Sequence, residues 1–282
     1  MALPKPKLLL LQTLPMLTLL LLLLANMKLA HSQDTTSFTF DTFKSNPSDL
    51  IYQGDTHVPS GSSYLRLVKT DSSGVPQPAS VGRVLYSSPV NFWESSRQAT
   101  FETTIKFQIK PPSSGDAADG LAFFIAPVST IIPNGSNGAN LGIYGSSGTA
   151  TSLFAVEFDI YVNGAWDPSY PHVGININSR TSSNVTRFEG ALGQVVTARI
   201  NYNSNTKTIT TTTNYGSKTS TLSYVHDLKN TLTQQVRVGI SASTGALVAT
   251  FDVLSWYFTS TLVYTANNYD NVNGGAFIQK YA

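Results

Sequence analysis

Between Thr35 and Ala266 the feature that most limits the fold is a recurring two-residue alternation of apolar and polar side chains, broken at short intervals by Gly, Pro, Ser and Asn. It runs through Phe38-Thr39-Phe40, Tyr64 to Val68, Thr100 to Ile105 and Ala198 to Tyr202. Period two sends successive side chains to opposite faces of an extended strand, whereas an amphipathic helix repeats every 3.6 residues, and no segment carries that second pattern. The Asn203-Ser204-Asn205-Thr206 cluster, between the strands holding Ile200 and Ile209, predicts a hairpin turn. Thr208 to Thr213 is low in complexity but β-branched, which suits an exposed strand. Leu121 to Pro127 and Leu153 to Ile160 are apolar at successive positions and read as strands buried in the middle of a sandwich. No internal repeat, composition shift or linker divides this region, so the expectation is one all-β domain, a two-sheet jelly roll.

The two ends depart from this pattern. Lys5 and Lys7 precede an apolar run from Leu17 to Ala25, and Ala30-His31-Ser32 offers small residues where a signal peptidase cuts. Residues 1–32 therefore read as a signal peptide, the run being shorter than the roughly 20 residues of a membrane span. The domain is expected over residues 33–266. Residues 267–282, rich in Asn, Gly and Tyr at their start, read as a disordered or processed extension, in which Ala276-Phe277-Ile278 suits a short docking or vacuolar sorting element. The address is the secretory pathway, extracellular or vacuolar. Lys5, Lys7 and Lys28 leave with the leader and no acid does, so the formal charge of +2 turns slightly negative. That balance, without basic clusters, argues against nucleic acid and against an anionic membrane surface, and no insertion into a membrane is expected. There is no cysteine, hence no disulfide and no thiolate chemistry, and about 250 residues bury enough core to do without them. Sequons stand at Asn134 and Asn184 and mark candidate glycosylation sites.

The densest chemistry lies between Phe154 and Ser182. Glu157 and Asp159 alternate with Val156, Phe158 and Ile160, so a strand here sends both carboxylates from one face, roughly 6.5 to 7 Å apart at Cα. Such proximity raises one pKa unless a cation lies between them. Asn163, Asp167 and His172 follow and complete a ligand set: carboxylate, amide and carbonyl oxygens suit Ca2+, while carboxylates with one imidazole suit Mn2+ or another first-row metal. Asp159 and Asp167 can each offer two oxygens and so bridge two ions. Any one of these residues alone would also fit a solvated acidic loop beside a core histidine.

The run E-F-D-x-Y-x-N-x-x-W-D-P-x-Y-P-H-x-G-I from Glu157 to Ile175 resembles the metal-binding signature of the legume lectins. Gln33 to Phe43, Val81 to Trp93, Ala118 to Pro127, Val236 to Gly245 and Leu254 to Leu262 resemble further segments of that family in its order, so the resemblance covers nearly the whole mature chain. It implies a jelly-roll sandwich with a flat back sheet, a curved front sheet and a short top sheet. It implies Mn2+ held by Glu157, Asp159, Asp167 and His172, with Ser182 acting through water, and Ca2+ held by Asp159, Asp167, the Asn163 side chain and the Tyr161 carbonyl. For sugar it implies Asp119 as acceptor after a cis Ala118-Asp119 peptide, Asn163 as donor, the Tyr161 ring as an apolar platform, and N–H groups of Ala246 and Leu247. In the second loop many members have glycine where this chain has Ala139. If the loop keeps its usual register, a methyl group stands where backbone approaches sugar, and a shift onto Gly138 would relieve it.

The short interval from Ser241 to Trp256 resembles mannose/glucose-binding members, with galactose and complex-glycan specificity kept open, as is a non-binding storage or defence paralogue. The enzyme alternative is a laminarinase-like hydrolase, which needs a second carboxylate two or three residues beyond Asp159. Those positions hold Tyr161 and Val162, so a binding protein rather than an enzyme is expected. Pairing of such sandwiches into homodimers or homotetramers would give multivalent glycan crosslinking.

Overall fold

The alternation resolves into sixteen strands among the described residues, 34–44 and 47–265, of a computed structural model. In chain order the first eight are β1 (Thr35–Phe40), β2 (Leu50–Gly54), β3 (Leu65–Arg66), β4 (Val81–Tyr86), β5 (Val90–Asn91), β6 (Trp93–Glu94), β7 (Arg97–Lys110) and β8 (Gly120–Pro127). The rest are β9 (Thr149–Asp159), β10 (His172–Ser179), β11 (Asn184–Arg187), β12 (Val195–Asn203), β13 (Thr208–Tyr215), β14 (Lys218–Val225), β15 (Gln235–Ser243) and β16 (Thr250–Tyr264). Two single 3-10 turns, Gly138–Asn140 and Leu228–Asn230, are the helical elements found there. The expected signal peptide and C-terminal extension lie outside the described residues. No helix of the described residues is long and apolar enough to cross a membrane.

The strands form two antiparallel sheets. The back sheet runs β1-β16-β7-β12-β13-β14 and the front sheet β11-β10-β9-β8-β15-β4-β2, with β3 on β16, β6 on β7 and β5 on β15 off these paths. Along β7 burial alternates, so Phe101, Ile105 and Phe107 enter the space between the sheets while Glu102, Thr104 and Lys106 face away. There they meet the inward residues of the front sheet: Phe101 lies 6.3 Å from Phe123 and 6.2 Å from Phe154, and Phe107 lies 4.9 Å from Phe158, all with tilted rings. Each fully buried ring contributes about 1.5–3 kcal/mol by leaving water.

Two strand expectations change. Tyr64 to Val68 forms a strand only at Leu65–Arg66; just beyond it the Leu67 amide donates to the Phe251 carbonyl at 3.0 Å and the Leu67 carbonyl crosses Gly82 so closely that a Cβ there would stand 1.7 Å from its oxygen. The threonine run is not an exposed strand but a half-buried one: Ile209, Thr211 and Thr213 point inward and only Thr208, Thr210 and Thr212 face outward, since β13 lies between β12 and β14.

β8 and β9 are buried on both faces for a reason the alternation alone does not contain. Leu121, Phe123 and Ile125 belong to the core between the sheets, whereas Ala122, Phe124 and Ala126 join Leu153 and Ala155 in a second apolar cluster on the other side. Leu141, Ile143 and Tyr144, from the long connection between β8 and β9, cover that cluster. Arg83 fastens the connection from beneath. Its guanidinium lies 4.5 Å over the Phe124 ring and donates to the Ile131 carbonyl and the Thr130 hydroxyl, each at 2.8 Å, with burial lowering its pKa to about 10. The connection is thus held on the outer face of the front sheet, next to the ends of β8, β9 and β15.

Candidate functional site

β9 carries Glu157 and Asp159 on that outer face, 2% and 3% exposed. β10 returns antiparallel with His172 opposite Asp159 and Gly174 opposite Glu157. Ligand atoms of Asp159, Asp167 and His172 all lie within 4.8 Å of one another. Glu157 joins them through His172, whose Nε2 is 3.1 Å from Glu157 Oε1. Ser182 sits just past the end of β10 with its hydroxyl 2.5 Å from the same Glu157 oxygen. Gly174 makes that meeting possible, because a Cβ there would stand 2.0 Å from Ser182 Oγ and 2.7 Å from Glu157 Oε1.

The loop after β9 is folded around the carboxylates. Asp159 Oδ1 accepts from the Tyr161 amide and Asp167 Oδ2 from the Asn163 amide, both at 2.7 Å, while the Asn163 carbonyl accepts from Trp166 and Asp167 at 3.1 Å. Burial first, then the charges of Glu157 and Asp167, push the Asp159 carboxyl well above the usual carboxylate range. Burial likewise pushes Asp167 up to about 6, with the Asn163 amide opposing. Acids packed so closely resist ionising together, and a divalent cation reverses that resistance. In this cluster Asn163 Oδ1 and His172 Nδ1 are buried without a hydrogen-bond partner among the described residues. Carboxylates, an unpartnered amide oxygen and one imidazole are the donors that a calcium ion beside a first-row metal ion requires, so the residues present fit such ions.

Beside this cluster lies a shallow convergence of loops. Asp119 precedes β8, where Gly120 pairs with Asp159, and the Asp119 carbonyl accepts from the Ile160 amide at 3.0 Å. The Ala118-Asp119 peptide is cis. The Asp119 side chain is 6% exposed with Oδ2 unpartnered, and burial pushes its pKa up to about 6 against the opposing Gly245 amide. Gly138 and Gly245 pack side by side against it: a Cβ on Gly245 would lie 3.1 Å from Asp119 Oδ2, and one on Gly138 3.8 Å from both carboxylate oxygens. In the neighbouring metal loop Tyr161 stands 36% exposed, and after Gly245 in the chain Ala246 is exposed and Leu247 half-buried.

The second loop is tied to the end of β15. The Gly138 amide donates to the Thr244 carbonyl at 3.1 Å, and its carbonyl accepts from the Ser243 hydroxyl at 2.6 Å. Gly138 has φ +62°, a conformation that favours glycine, while Ala139 lies outside the positive-φ residues. Among the described residues no hydrogen bond uses the amides of Ala139, Ala246 or Leu247. Ala139 therefore keeps a free donor without backbone strain.

Ser243, Thr244 and Gly245 organise this convergence and were not singled out by sequence reasoning. The Ser243 carbonyl accepts from the Asp119 amide at 3.2 Å, and the Thr244 hydroxyl accepts from the Ser80 amide at 3.0 Å while donating to the Gln77 carbonyl at 2.8 Å. The available signal was a run of small polar residues at the end of an otherwise apolar strand. Both sequon asparagines, Asn134 and Asn184, are exposed, and the Asn184 side-chain amide donates to the Ser223 carbonyl at 2.9 Å, linking the edge strands β11 and β14.

Comparison with known proteins gives a consistent result. The legume lectin domain family matches residues 35–273. The chain is 43% identical over 260 residues to agglutinin-2 of Cladrastis kentukea, with 89% of each chain covered. It is 42% identical over 243 residues to a mannose/glucose-specific lectin of Centrolobium tomentosum, covering 83% of this chain and 98% of that one. The solved structure of winged bean acidic lectin complexed with methyl-alpha-D-galactose is similar with a TM-score of 0.75 at 37% identity, covering 81% of this chain and 99% of that one.

Proposed function

Because the chain belongs to the legume lectin family of non-enzymatic carbohydrate-binding proteins, we propose that it is a calcium- and manganese-dependent lectin of mannose/glucose type. Glu157, Asp159, Asp167 and His172 hold the manganese, with Ser182 acting through water. Asp159, Asp167, the Asn163 side chain and the Tyr161 carbonyl hold the calcium. The ions supply the positive charge that lets the carboxylates ionise together. The clustered ligand atoms and the unpartnered Asn163 Oδ1 support this assignment.

The observation that carries the binding reading is an unpartnered, buried Asp119 oxygen packed against Gly138 and Gly245, each followed in the chain by amides that no hydrogen bond uses, those of Ala139, Ala246 and Leu247. Asp119 accepts hydrogen bonds from two sugar hydroxyls, and the three amides and Asn163 Nδ2 donate to others. The Tyr161 ring covers the apolar side of the pyranose. Gly138 shapes the site by packing against Asp119 rather than by donating. The backbones of Asp119 and Asn163 are fixed by hydrogen bonds to Ser243, Ile160, Trp166 and Asp167, so little backbone ordering remains when sugar binds.

The short loop after β15 and the mannose/glucose-specific relative support the specificity, while the galactose complex of the winged bean protein favours a galactose site as the second reading. Secretion through a cleaved leader, glycosylation at Asn134 and Asn184, and assembly into homodimers or homotetramers that crosslink glycans in plant defence complete the proposal. Calorimetric titration of the metal-loaded protein with methyl mannoside and with galactose tests the specificity. Mannoside binding with no galactose binding is expected. The reverse would move the assignment to the galactose class, and silence with both would point to a non-binding paralogue.

A further inference from the structure

Arg180 belongs to none of the ligand sets above, yet its side chain reaches both turns that frame the site. It follows β10, and its backbone is pinned on both sides: its amide donates to the Gly148 carbonyl at 2.9 Å, and its carbonyl accepts from Asn176 Nδ2 at 3.1 Å. From there the guanidinium lies 3.6 Å over the Trp166 ring and donates through Nη1 to Asn140 Oδ1 at 3.0 Å. Trp166 is in the metal loop, its amide bonded to the Asn163 carbonyl. Asn140 closes the other turn, its side-chain amide bonded to the Gly135 carbonyl at 2.9 Å and its carbonyl accepting from Ile143 and Tyr144 at 3.0 Å. Space is reserved for this reach: a Cβ on Gly148 would stand 2.4 Å from Arg180 Nε.

We propose that Arg180 is a positioning residue, a strut through which ordering of the metal loop sets the turn that presents the Ala139 amide to sugar. A planar cation suits the task, because one face stacks on an indole while its edge donates in a fixed direction, which a lysine ammonium does not do. Asp167 feels the same charge, so the strut lies against the metal loop electrostatically as well as by contact. When Asp167 and Asn163 are drawn onto ions, Trp166 is fixed with them. Arg180 carries that constraint to Asn140, and the turn at Gly138–Asn140 loses freedom that sugar binding would otherwise have to remove.

The assignment of the two turns rests on the proposed lectin reading, but the coupling can be measured without sugar. Hydrogen exchange is followed in the purified protein, chelated and then reloaded with Ca2+ and Mn2+, for wild type, Arg180→Met and Arg180→Lys. In wild type, metals slow exchange in residues 161–167 and also in 135–142. In both variants the first segment is still protected, while the metal-induced protection of 135–142 falls about tenfold, the scale of one charge-assisted hydrogen bond. Arg180→Lys keeps the charge and most of the packing, so a melting temperature near wild type with the coupling still lost separates positioning from mere support. Sugar affinity of the metal-loaded variants falls by a similar factor. Equal protection of 135–142 in wild type and variants overturns the strut, as does its absence in wild type, or loss of protection at 161–167 in both variants. Intact coupling in a wild type that binds neither sugar would instead refute the lectin reading and leave the strut standing.

Discussion

Asp119→Asn separates what this carboxylate does for binding from what it does to the fold. The side chain is almost fully buried, and burial raises its pKa from the ordinary 3.8 to about 6 in the metal-free protein. A carboxyl whose pKa is higher in the fold than in the unfolded chain favours the fold when protonated and opposes it when ionised. At pH 7, above both values, that opposition is about 3 kcal/mol at about 1.4 kcal/mol per tenfold. Asparagine has nearly the same shape, keeps an oxygen for the Gly245 amide and carries no charge. Its own desolvation offsets part of the gain, so the chelated variant should be more stable by about 1–3 kcal/mol. The gain is full above pH 6 and vanishes below about 3.8, where both chains are protonated. Binding moves the other way. Hydrogen bonds to an ionised group contribute about 1.5–3 kcal/mol each, so losing one lowers sugar affinity about 10- to 100-fold. Urea unfolding of the chelated protein at pH 7 and pH 4, with sugar titration of the metal-loaded protein, reads both effects. A variant less stable than wild type at pH 7 would show that the buried charge does not oppose the fold, and one that binds sugar equally well would show that the carboxylate is not a sugar acceptor.

Three further predictions follow from positions of contact. Gly138→Ala places a side chain at φ +62° and 3.6 Å from Gly245 Cα, so it should lose about 1–2 kcal/mol of stability and weaken sugar binding; Ala139→Gly should change affinity less than about threefold, since its amide is free in either form, and paired titrations compare the two. Gly174→Ala drives a Cβ into Ser182 and Glu157 and should cost about 1–3 kcal/mol while raising the metal concentration needed for half-maximal stabilisation in a thermal melt. The metal-free protein should lose stability as pH rises from about 4 to 7, because Asp159 and Asp167 hold protons in the fold that the unfolded chain has already released. Added Ca2+ and Mn2+ should remove that loss, and melting temperatures at pH 4.5 and 7 with and without chelator measure it.

Much of this architecture is legible in the sequence because it is local. Period two names the faces of β7 and β12 directly, and Glu157, Asp159 and His172 fall on one patch because two adjacent strands pair in register across a single loop. The apolar run of β8 is equally visible, but its cause is not: Leu141, Ile143 and Tyr144 lie in an irregular connection without periodicity, and only the folded chain lays them over Phe124. The site divides in the same way. Asn163 and Asp167 belong to one readable loop, whereas the choice between Gly138 and Ala139 as donor turns on the Thr244 carbonyl, more than a hundred residues away. Arg180 has no pattern around it to mark it, and its partner Asn140 lies forty residues upstream. Alternation reveals which way a side chain points, while contacts between distant loops depend on how the sheets and connections close.

On the proposed reading, bound metals organise the Asp119 and Asn163 site for sugar. The most direct test is calorimetric titration of one preparation with methyl mannoside, first loaded with Ca2+ and Mn2+, then chelated, then reloaded. Binding that disappears on chelation and returns on reloading, with the fold intact by circular dichroism throughout, is the predicted result. Sugar binding that survives complete metal removal unchanged would show that the ions do not organise the site.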